Sequence, residues 1–420
     1  MMGVGGKPVR ILMVSEFFPP VIGGMERHVE GLCRALAARG HTVKVVTLGW
    51  KGMVPREYRD GYEVHRIVGL FQVMGRLYSS RDRRFHPPLV DPVIAKTIAT
   101  MIKKFRPDVI HCHGWITYSA ISAKRKFAHI PLIVTLHDYG FICAKRTFMN
   151  ADAVCTSPGW SECSACAAEA LGFWKGKAAS WAISRKTIKA GVNQYIAVSN
   201  YVKDVYTRQL NLSEGSVVVI PNFYNSDNEH EISAEHALSL PEKYILFVGT
   251  LSKEKGVHIL VEAFKMVRTD VSLVLIGIKK DDLRYAVSDK ILVFENRPHC
   301  VVMGAWRRGM FGVIPSVWPD PCPTVALEAM ANSKAVIASM IGGLSDIVVD
   351  GKTGLLVSVM DVCGLAKGIS SFIKQPSFLT QMGLNGRRRF KEVFSSVSVV
   401  GKIEELYQSI VKEKKYPEAF

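Results

Sequence analysis

The sequence predicts an α/β protein built from two doubly wound parallel sheets. Short apolar runs with the length of buried strands alternate with amphipathic helical segments through most of the chain. This alternation occurs in two successive series, separated by a polar stretch at residues 222–241 that is typical of a linker. The length of 420 residues also exceeds what one hydrophobic core usually supports.

In the first series, strands are predicted at residues 9–15, 43–48, 109–112, 132–136 and 195–198, with a helix at 25–39 that ends at Gly40. In the second series, strands are predicted at residues 244–249, 271–276, 311–315, 335–339 and 355–357, with a helix at 257–267. The pattern at residues 400–413 predicts a closing amphipathic helix.

Composition indicates a soluble globular protein, since 48% of the residues are hydrophobic and 22% are charged. No run of eighteen uncharged apolar residues is present, and the first residues do not read as a secretory leader. A cytoplasmic location, where thiols stay reduced, is therefore expected.

The formal net charge of +17 favours an anionic partner. Basic clusters lie at Arg81, Arg83 and Arg84, at residues 124–126 and at residues 387–389. Solvated helix faces and an anionic membrane surface, on the inner side of the cell membrane, are both open explanations. Nucleic acid is not expected, because no nucleic-acid-binding motif is recognisable.

The segment PSVWPDPCPTVALEAM, at residues 315–330, carries two carboxylates beside a predicted helix start. Its prolines exclude regular helix before Thr324, so that Asp320 lies on a loop and Glu328 on the following helix. Helix N-termini bind phosphates and carboxylates accept hydrogen bonds from hydroxyls, which together suit a nucleotide sugar. An ordinary capped helix with two solvated acids is the alternative.

Other polar or glycine-rich residues follow predicted strands, where ligands of doubly wound sheets bind. They are Gly23 and Gly24, His113, His137, Thr250, Lys255 and Gly343. The first loop is not a GxGxxG fingerprint, which argues against a dinucleotide enzyme. We expect Lys255, His137, Asp320 and Glu328 to converge on one crevice between two domains.

The spacing from Asp320 to Glu328, followed by Ala-Met-Ala, resembles the signature of retaining glycosyltransferases of family 4, which have the GT-B fold. The resemblance implies that Gly23, Gly24 and Gly343 lie against the donor diphosphate, with Lys255 as its cation. It also implies that His137 and Asp320 contact the donor sugar and that Glu328 binds the ribose. Asp320 stands where the family usually has Glu, and Thr250 stands where it has Arg.

The resemblance further implies an acceptor-side Rossmann-like domain at residues 1–222, a donor-binding one at 223–399 and a C-terminal helix, 400–420, that returns to the first domain. The expected activity is metal-independent, retaining transfer of a hexosyl unit from a UDP- or GDP-sugar. The acceptor would be a polysaccharide, glycolipid or lipid-linked glycan of the cell envelope, and base recognition is expected near residues 295–301. A degenerate sugar-nucleotide-binding partner subunit and a GT-B epimerase are the alternatives.

Four of the nine cysteines, Cys143, Cys155, Cys163 and Cys166, cluster in an insertion at residues 143–166. In a reducing compartment this spacing favours a structural metal, with zinc ahead of an iron–sulfur cluster, against four unpaired thiols.

Aromatic and basic residues mix at residues 167–190, a pattern typical of an interfacial amphipathic helix or of a core helix with a basic outer face.

Overall fold

The computed structural model describes residues 7–21, 23–74, 84–156, 159–225, 238–280 and 288–415. Arg81 and Arg83 of the first basic cluster, and residues 226–237 of the predicted linker, lie outside this part of the chain. The chain divides into two compact units. The first comprises the described residues within 1–148, 155–221 and 396–420, and the second those within 149–154 and 222–395.

The strands of the described chain fall into two large sheets and one small hairpin. They are β1 (Arg10–Ser15), β2 (Thr42–Leu48), β3 (Arg56–Arg59), β4 (Tyr62–Ile67), β5 (Val109–His113), β6 (Leu132–Leu136), β7 (Met149–Asn150), β8 (Ala153–Val154), β9 (Gln194–Ala197), β10 (Val217–Val219), β11 (Tyr244–Val248), β12 (Ser272–Gly277), β13 (Ile291–Glu295), β14 (Gly312–Ile314), β15 (Val336–Ser339) and β16 (Gly354–Val357).

Helices alternate with these strands through most of the described chain, as the sequence predicts. They are α1 (Gly24–Ala38), α2 (Leu70–Val73), α3 (Pro92–Phe105), α4 (Thr117–Lys124), α5 (Trp160–Leu171), α6 (Phe173–Ser184), α7 (Asn200–Leu210), α8 (Val257–Lys265), α9 (His299–Arg308), α10 (Thr324–Ala331), α11 (Leu344–Ile347), α12 (Val362–Lys374), α13 (Pro376–Arg389) and α14 (Ser396–Lys415).

The first unit has an eight-stranded sheet in the order β10-β9-β6-β5-β1-β2-β4-β3, parallel except for β3. Its central strands are buried on both faces, which explains why they read in the sequence as continuous apolar runs. Helix starts are set by capping side chains: Asp91 accepts from two amides of α3, and Ser199 accepts from one of α7.

The C-terminal helix α14 belongs to the first unit. Glu404 accepts from Arg39 Nη1 and lies against His41 Nε2, both at 2.9 Å. The hydroxyl of Tyr407 lies 2.6 Å from Nδ1 of His111. Polar contacts that join residues so far apart in sequence fix the closing helix on the sheet.

The second unit has six parallel strands in the order β13-β12-β11-β14-β15-β16. Numbered within the unit, this is the order 3-2-1-4-5-6 of a Rossmann fold, which agrees with the predicted Rossmann-like half, although β13 was not among the predicted strands. Apolar residues of these strands and of α8 and α12 form its core, among them Leu260, Leu275 and Phe372, each at most 1% exposed.

The small hairpin of β7 and β8 departs from the predicted domain limits. Residues 149–154 lie inside the predicted first domain, yet they cluster with the second unit. Met149 is 7% exposed within the core of that unit, and Val154 packs against the same core. Burial of these apolar side chains explains why six residues of the cysteine-rich insertion leave the first unit.

The stretch expected to form one amphipathic helix at residues 167–190 is a helical hairpin instead. Gly172, at φ 87°, separates α5 from α6, a backbone conformation that glycine adopts without strain. A Cβ on Gly176 would lie 2.3 Å from the carbonyl carbon of Ala167, so the two helices approach closely.

Within the part of the chain that the structure describes, no helix combines the length and apolar character needed to cross a bilayer.

Candidate active site

The strand order itself places the motifs of the second unit. The order reverses between β11 and β14, and ligands of such sheets bind beyond the carboxyl ends of the strands at that point. Residues 249–256 follow β11, and residues 315–323 follow β14. The first unit reverses in the same way between β1 and β5, so Gly23 and Gly24 follow one of its central strands.

Gly256 joins the two loops of the second unit. It has φ 71°, and a Cβ at this position would lie 1.8 Å from the carbonyl oxygen of Pro315. The carbonyl of Glu254 accepts from the amides of Val317, at 2.9 Å, and Trp318, at 3.3 Å. The backbone of the Lys255 loop is therefore held directly against the backbone that carries Asp320.

A second glycine pair supports the same loop from the other side. A Cβ on Gly342, at φ 57°, would lie 2.5 Å from the carbonyl oxygen of Asp320. The amide of Gly343 donates to that oxygen at 2.8 Å, and a Cβ on Gly343 would lie 2.1 Å from the oxygen of Pro321. These glycines act by close backbone approach, which places Gly343 beside Asp320.

The side chains of Lys255 and Asp320 contact each other, because the backbones of their two loops are held together. Nζ of Lys255 lies 2.5 Å from Oδ2 of Asp320, and 5.0 Å from the ring centre of Trp318. The side chains are 26% and 12% exposed. A partly exposed cation beside a carboxylate can serve a phosphate and a sugar hydroxyl at once. Trp318 was not singled out by the sequence pattern.

Glu328 lies on α10, directly behind the Asp320 loop, and is 5% exposed. Its Oε1 lies 3.1 Å from Nε2 of His299, the first residue of α9. The ring of Tyr224 lies 6.0 Å from the ring of His299. His299 falls in the stretch expected to recognise the base, although the sequence did not distinguish it from its neighbours. Glu328 is thus a buried, oriented carboxylate rather than a solvated one.

Thr250 lies in the loop between β11 and α8, directly after Gly249, whose amide donates to the carbonyl of Ile276 at 3.0 Å. The cation of this loop that contacts Asp320 is Lys255.

In the first unit, Gly23 is extended, with φ −168°, and Gly24 begins the fifteen-residue helix α1. A Cβ on Gly24 would meet no described atom within 4 Å, so this helix start is sterically open. The amides of a helix start favour an anion there.

His137 follows β6 and belongs to a group of histidines in the first unit. Nδ1 of His113 lies 3.0 Å from Nε2 of His137, and the ring centres of His28 and His137 are 5.2 Å apart. Burial lowers the pKa of His28 to about 4. Burial and three neighbouring histidines lower the pKa of His113 well below its usual value, so both rings are neutral at pH 7. The sequence pointed to His113 but missed His28, which lies on the buried face of α1.

Glu16, directly after β1, is a buried carboxylate that the sequence analysis overlooked. It is fully buried and accepts from the amides of His86 and Trp115, and from Nη2 of Arg146 with both oxygens at 2.9 Å. The guanidinium lies 3.9 Å from the ring centre of Trp115. The signal was present, since an acidic residue interrupts an apolar run at the end of the first strand.

The four clustered cysteines form no disulfide bond among the described residues. They lie close together, because Cys143, Cys155 and Cys166 add to the effect of burial in raising the pKa of Cys163 to about 11. Among the described residues, however, no group of three or more His, Cys, Asp or Glu is placed to hold a metal ion. The arrangement gives no support to the expected zinc site, which stays a prediction for metal analysis of the purified protein.

Comparisons with known proteins identify the family. The model of Glycosyltransferase Family 4 matches residues 22–228, and that of Glycosyl transferases group 1 matches residues 228–389. A glycogen synthase of Mycobacterium tuberculosis is 26% identical, over 98% of this chain and 97% of its own length. An alpha-maltose-1-phosphate synthase of Mycolicibacterium smegmatis is 27% identical, over 72% of this chain and 79% of its own length.

Among solved structures, sucrose-phosphate synthase from Thermosynechococcus elongatus matches with a TM-score of 0.70 and 20% identity, over 96% of this chain and 99% of that one. HepE from Anabaena, solved in complex with UDP-glucose, matches with a TM-score of 0.65 and 17% identity, over 96% and 100%. These likenesses agree with two Rossmann-like units of the GT-B type. The chain therefore belongs to the GT-B glycosyltransferases of family 4.

Proposed function

We propose that this glycosyltransferase moves a hexosyl unit from a nucleoside diphosphate sugar to a glycan or lipid-linked acceptor of the cell envelope, with retention at the anomeric carbon. The observation that carries the proposal is the contact between Lys255 and Asp320 at the point where the second sheet reverses its order. A cation for the diphosphate and a carboxylate for the sugar stand side by side there.

Each residue of the second unit has a proposed part in donor binding. Lys255 would exchange part of its contact with Asp320 for the diphosphate, which frees the carboxylate to accept from sugar hydroxyls. Glu328, oriented by His299, would accept from the ribose hydroxyls. Thr250 would supply a hydroxyl to the phosphate. The Gly343 amide already donates to Asp320, so Gly343 contributes a close approach rather than a donor.

In the first unit, Gly23 and Gly24 are proposed to lie against the diphosphate at the open start of α1, and His137 to hydrogen-bond the transferred sugar. Negative charge builds on the diphosphate as the bond to the sugar loosens. Lys255 and the helix amides would supply preorganised positive potential at the diphosphate, where this charge develops. Catalysis would then depend on stabilising the leaving group and not on an enzyme nucleophile. The leaving phosphate would take the acceptor proton, and no metal ion is assigned to the transfer.

The donor is proposed to carry glucose or a related hexose. The names of the relatives support this, since HepE was solved with UDP-glucose and starch synthase IV of Arabidopsis thaliana with ADP and acarbose. UDP and GDP remain the nucleotides expected from the sequence. The structure of starch synthase IV with ADP adds that nucleotide to the set to be tested.

The test is a thermal-shift screen of the purified chain against UDP, GDP, ADP and their sugars, followed by transfer assays with the stabilising donor. Lys255→Ala and Glu328→Ala should each lower the transfer rate at least about tenfold, because each removes a donor contact. Lys265→Ala is the control, since Lys265 pairs with Glu262 on an exposed helix face. Nuclear magnetic resonance of the product reports the anomeric configuration.

Full activity in both site variants would refute the site. Tight donor binding without turnover would favour the degenerate partner subunit, and release of an epimerised sugar nucleotide would favour the epimerase. An inverted product would contradict retention.

We also propose that the turn between α5 and α6 contacts an anionic membrane surface where the acceptor resides. Leu171, Phe173 and Trp174 are 39%, 54% and 80% exposed at this turn. Nζ of Lys177 lies 4.0 Å from the ring centre of Phe173. Aromatic side chains flanked by lysines suit the boundary between acyl chains and anionic headgroups. By contrast, Lys186 and Lys189 donate to backbone carbonyls of their own unit.

Vesicle sedimentation tests this surface. The protein should bind vesicles rich in phosphatidylglycerol at low salt and leave them at high salt, because salt screens the attraction. Trp174→Ser combined with Phe173→Ser should reduce binding, while Val397→Ser, at an apolar residue 73% exposed on α14, should not. No binding at low salt, or binding that survives the double substitution unchanged, contradicts the proposal.

A further inference from the structure

Trp318 is joined through its backbone to both members of the pair formed by Lys255 and Asp320. Its amide donates to the carbonyl of Glu254, the residue before Lys255, at 3.3 Å, and its own carbonyl accepts from the amide of Asp320 at 2.8 Å. Its half-buried side chain packs against the core of the second unit. The indole ring is therefore held by the same backbone that brings the cation to the carboxylate.

The ammonium of Lys255 has two close neighbours of different kinds. Its Nζ lies 2.5 Å from Oδ2 of Asp320 and 5.0 Å from the centre of the Trp318 ring, over the ring face. The second distance is within the range of about 6 Å in which an aromatic face attracts a cation. Glu254, the acid beside Lys255 in the sequence, pairs with Lys280 at 2.9 Å instead. The ammonium is thus held by one carboxylate and one ring.

These two neighbours affect the charge of Lys255 in opposite ways. A carboxylate cancels the positive charge of an ammonium, whereas an indole face attracts the ammonium and leaves its charge uncancelled. A lysine side chain is long and flexible, so holding it in one place before a ligand binds removes part of the entropy cost of binding. When Asp320 turns to the sugar hydroxyls, the ring still holds the ammonium in place.

We propose that Trp318 is a positioning residue, which holds the Lys255 ammonium over its ring face so that an uncancelled positive charge is ready for the diphosphate of the donor. The assignment of the diphosphate rests on the proposed function, whereas the contact between ring and ammonium does not. Trp318 thereby contributes to donor affinity through Lys255 and without a contact of its own with the donor.

The contact is measured first without any nucleotide, on the chain labelled with ¹³C,¹⁵N-lysine. The ring current of an indole shifts protons over its face upfield, and the Lys255→Arg spectrum assigns the signals of the Lys255 ε-methylene. We expect these signals upfield of those of the other lysines, and at an ordinary position in Trp318→Leu. An ordinary position in the wild-type chain overturns the proposal, even if the Leu variant fails to fold.

Fluorinated tryptophan then tests whether the ring acts by electrostatic attraction or only by packing. Fluorine withdraws electron density from the ring face and changes its shape little. The seven tryptophans are replaced by 5-fluoro- or 5,7-difluorotryptophan, in the wild-type chain and in Trp318→Phe. The Kd values for UDP, GDP and ADP are measured in parallel by calorimetry. For the nucleotide that binds, Kd should rise with each fluorine in the wild-type chain and stay constant in Trp318→Phe.

Substitutions give the size of the effect. Trp318→Phe keeps a weaker aromatic face and should raise Kd by about threefold or less, while Trp318→Leu should raise it by about tenfold. Trp181→Leu is the matched control in the first unit, because it removes a ring that also faces a cation, with the guanidinium of Arg185 5.1 Å from its centre. This control should leave Kd unchanged. Equal effects of Phe and Leu at position 318 would show that the side chain acts only in packing.

The two possible failures are distinguishable. An upfield Lys255 signal in a chain that binds none of the three nucleotides would refute the proposed function and leave the contact between ring and ammonium intact. Nucleotide binding that depends on Lys255 and is insensitive to fluorination would refute the positioning role of Trp318 alone.

Discussion

Glu16 shows how a single buried charge organises the end of the first sheet. Its carboxylate accepts from amides of two different loops, at His86 and Trp115, and from the guanidinium of Arg146. An added Cβ on Gly114 would lie 2.5 Å from its Oε2, so the chain after β5 closes tightly around it. One acidic residue thus ties three segments to the strand end where the Gly23 loop begins.

Removal of Arg146, the cationic partner of the Glu16 carboxylate, should lower the stability of the fold. Arg146→Met leaves Glu16 buried without its cation, and we expect a loss of roughly 3 to 5 kcal/mol in the free energy of unfolding. Chemical denaturation measures it. Lys265→Met, which breaks an exposed pair with Glu262, should change stability by less than about 1 kcal/mol and serves as the control. Similar losses in the two variants would contradict the structural importance of the buried pair.

At the scale of single residues, the sequence predicted candidate site residues but not the side chains that they contact. Strand ends pointed to His137, and a proline-rich loop pointed to Asp320, because these signals are local. The contacts of His113 with Met13, of Glu328 with His299 and of Glu16 with Arg146 join residues far apart in the chain. No periodicity or spacing carries that information, so only the fold reveals it.

At the scale of elements, glycines set the distance between loops. Gly256 and Gly351 both have positive φ, at 71° and 68°. A Cβ on Gly256 would collide with the carbonyl of Pro315, whereas one on Gly351 would meet nothing within 4 Å. Comparing substitutions at these two glycines therefore separates the cost of a left-handed backbone conformation from the cost of a steric clash with a neighbouring loop.

Gly351→Ala should therefore cost about 1 to 2 kcal/mol, the usual penalty of a left-handed conformation for a residue with a side chain. Gly256→Ala should cost clearly more and should also weaken donor binding, because the Lys255 loop must move away from the Asp320 loop. Thermal unfolding and donor titration measure the two effects. Equal losses of stability would contradict the close approach of these loops.

The sequence predicted most strands to within one or two residues, because their apolar runs are continuous and buried on both faces. It missed β3, whose four residues Arg56–Arg59 are polar and form the edge of the first sheet, and it also missed β4, β10, β13 and the small hairpin of β7 and β8. It also joined α5 and α6 into one helix. Gly172 was the available signal there, but the repeating aromatic and basic residues around it favoured a continuous helix.

At the scale of the whole molecule, buried histidines make stability depend on pH. Burial lowers the pKa of His28 and of His86 to about 4, and that of His111 to about 3. In the unfolded chain these groups titrate near 6.5. Below that pH the unfolded state binds more protons than the folded state, which favours unfolding.

The stabilisation from these histidines is complete above pH 6.5 and is lost as the pH falls toward 4. At pH 5 each should have lost roughly 2 kcal/mol. Thermal unfolding between pH 7.5 and 5 should show a steep decrease in Tm, before most carboxylates titrate. His129→Gln, at an exposed position, should leave the slope unchanged. A Tm that stays constant over this range would mean that the buried rings are accessible to protons.

Residues 149–154 belong to the second unit although the chain on both sides of them belongs to the first, and this limits which fragments of the protein can fold alone. The backbone passes from one unit to the other after residues 148, 154, 221 and 395, four passages instead of the two that a returning C-terminal helix alone would require. A gene fragment ending at residue 221 would deprive the first sheet of Glu404 and Tyr407, and would leave Met149 without its apolar neighbours. Neither half is a self-sufficient module, and attempts to exchange donor specificity by swapping halves between relatives must carry this six-residue segment along with the half it completes.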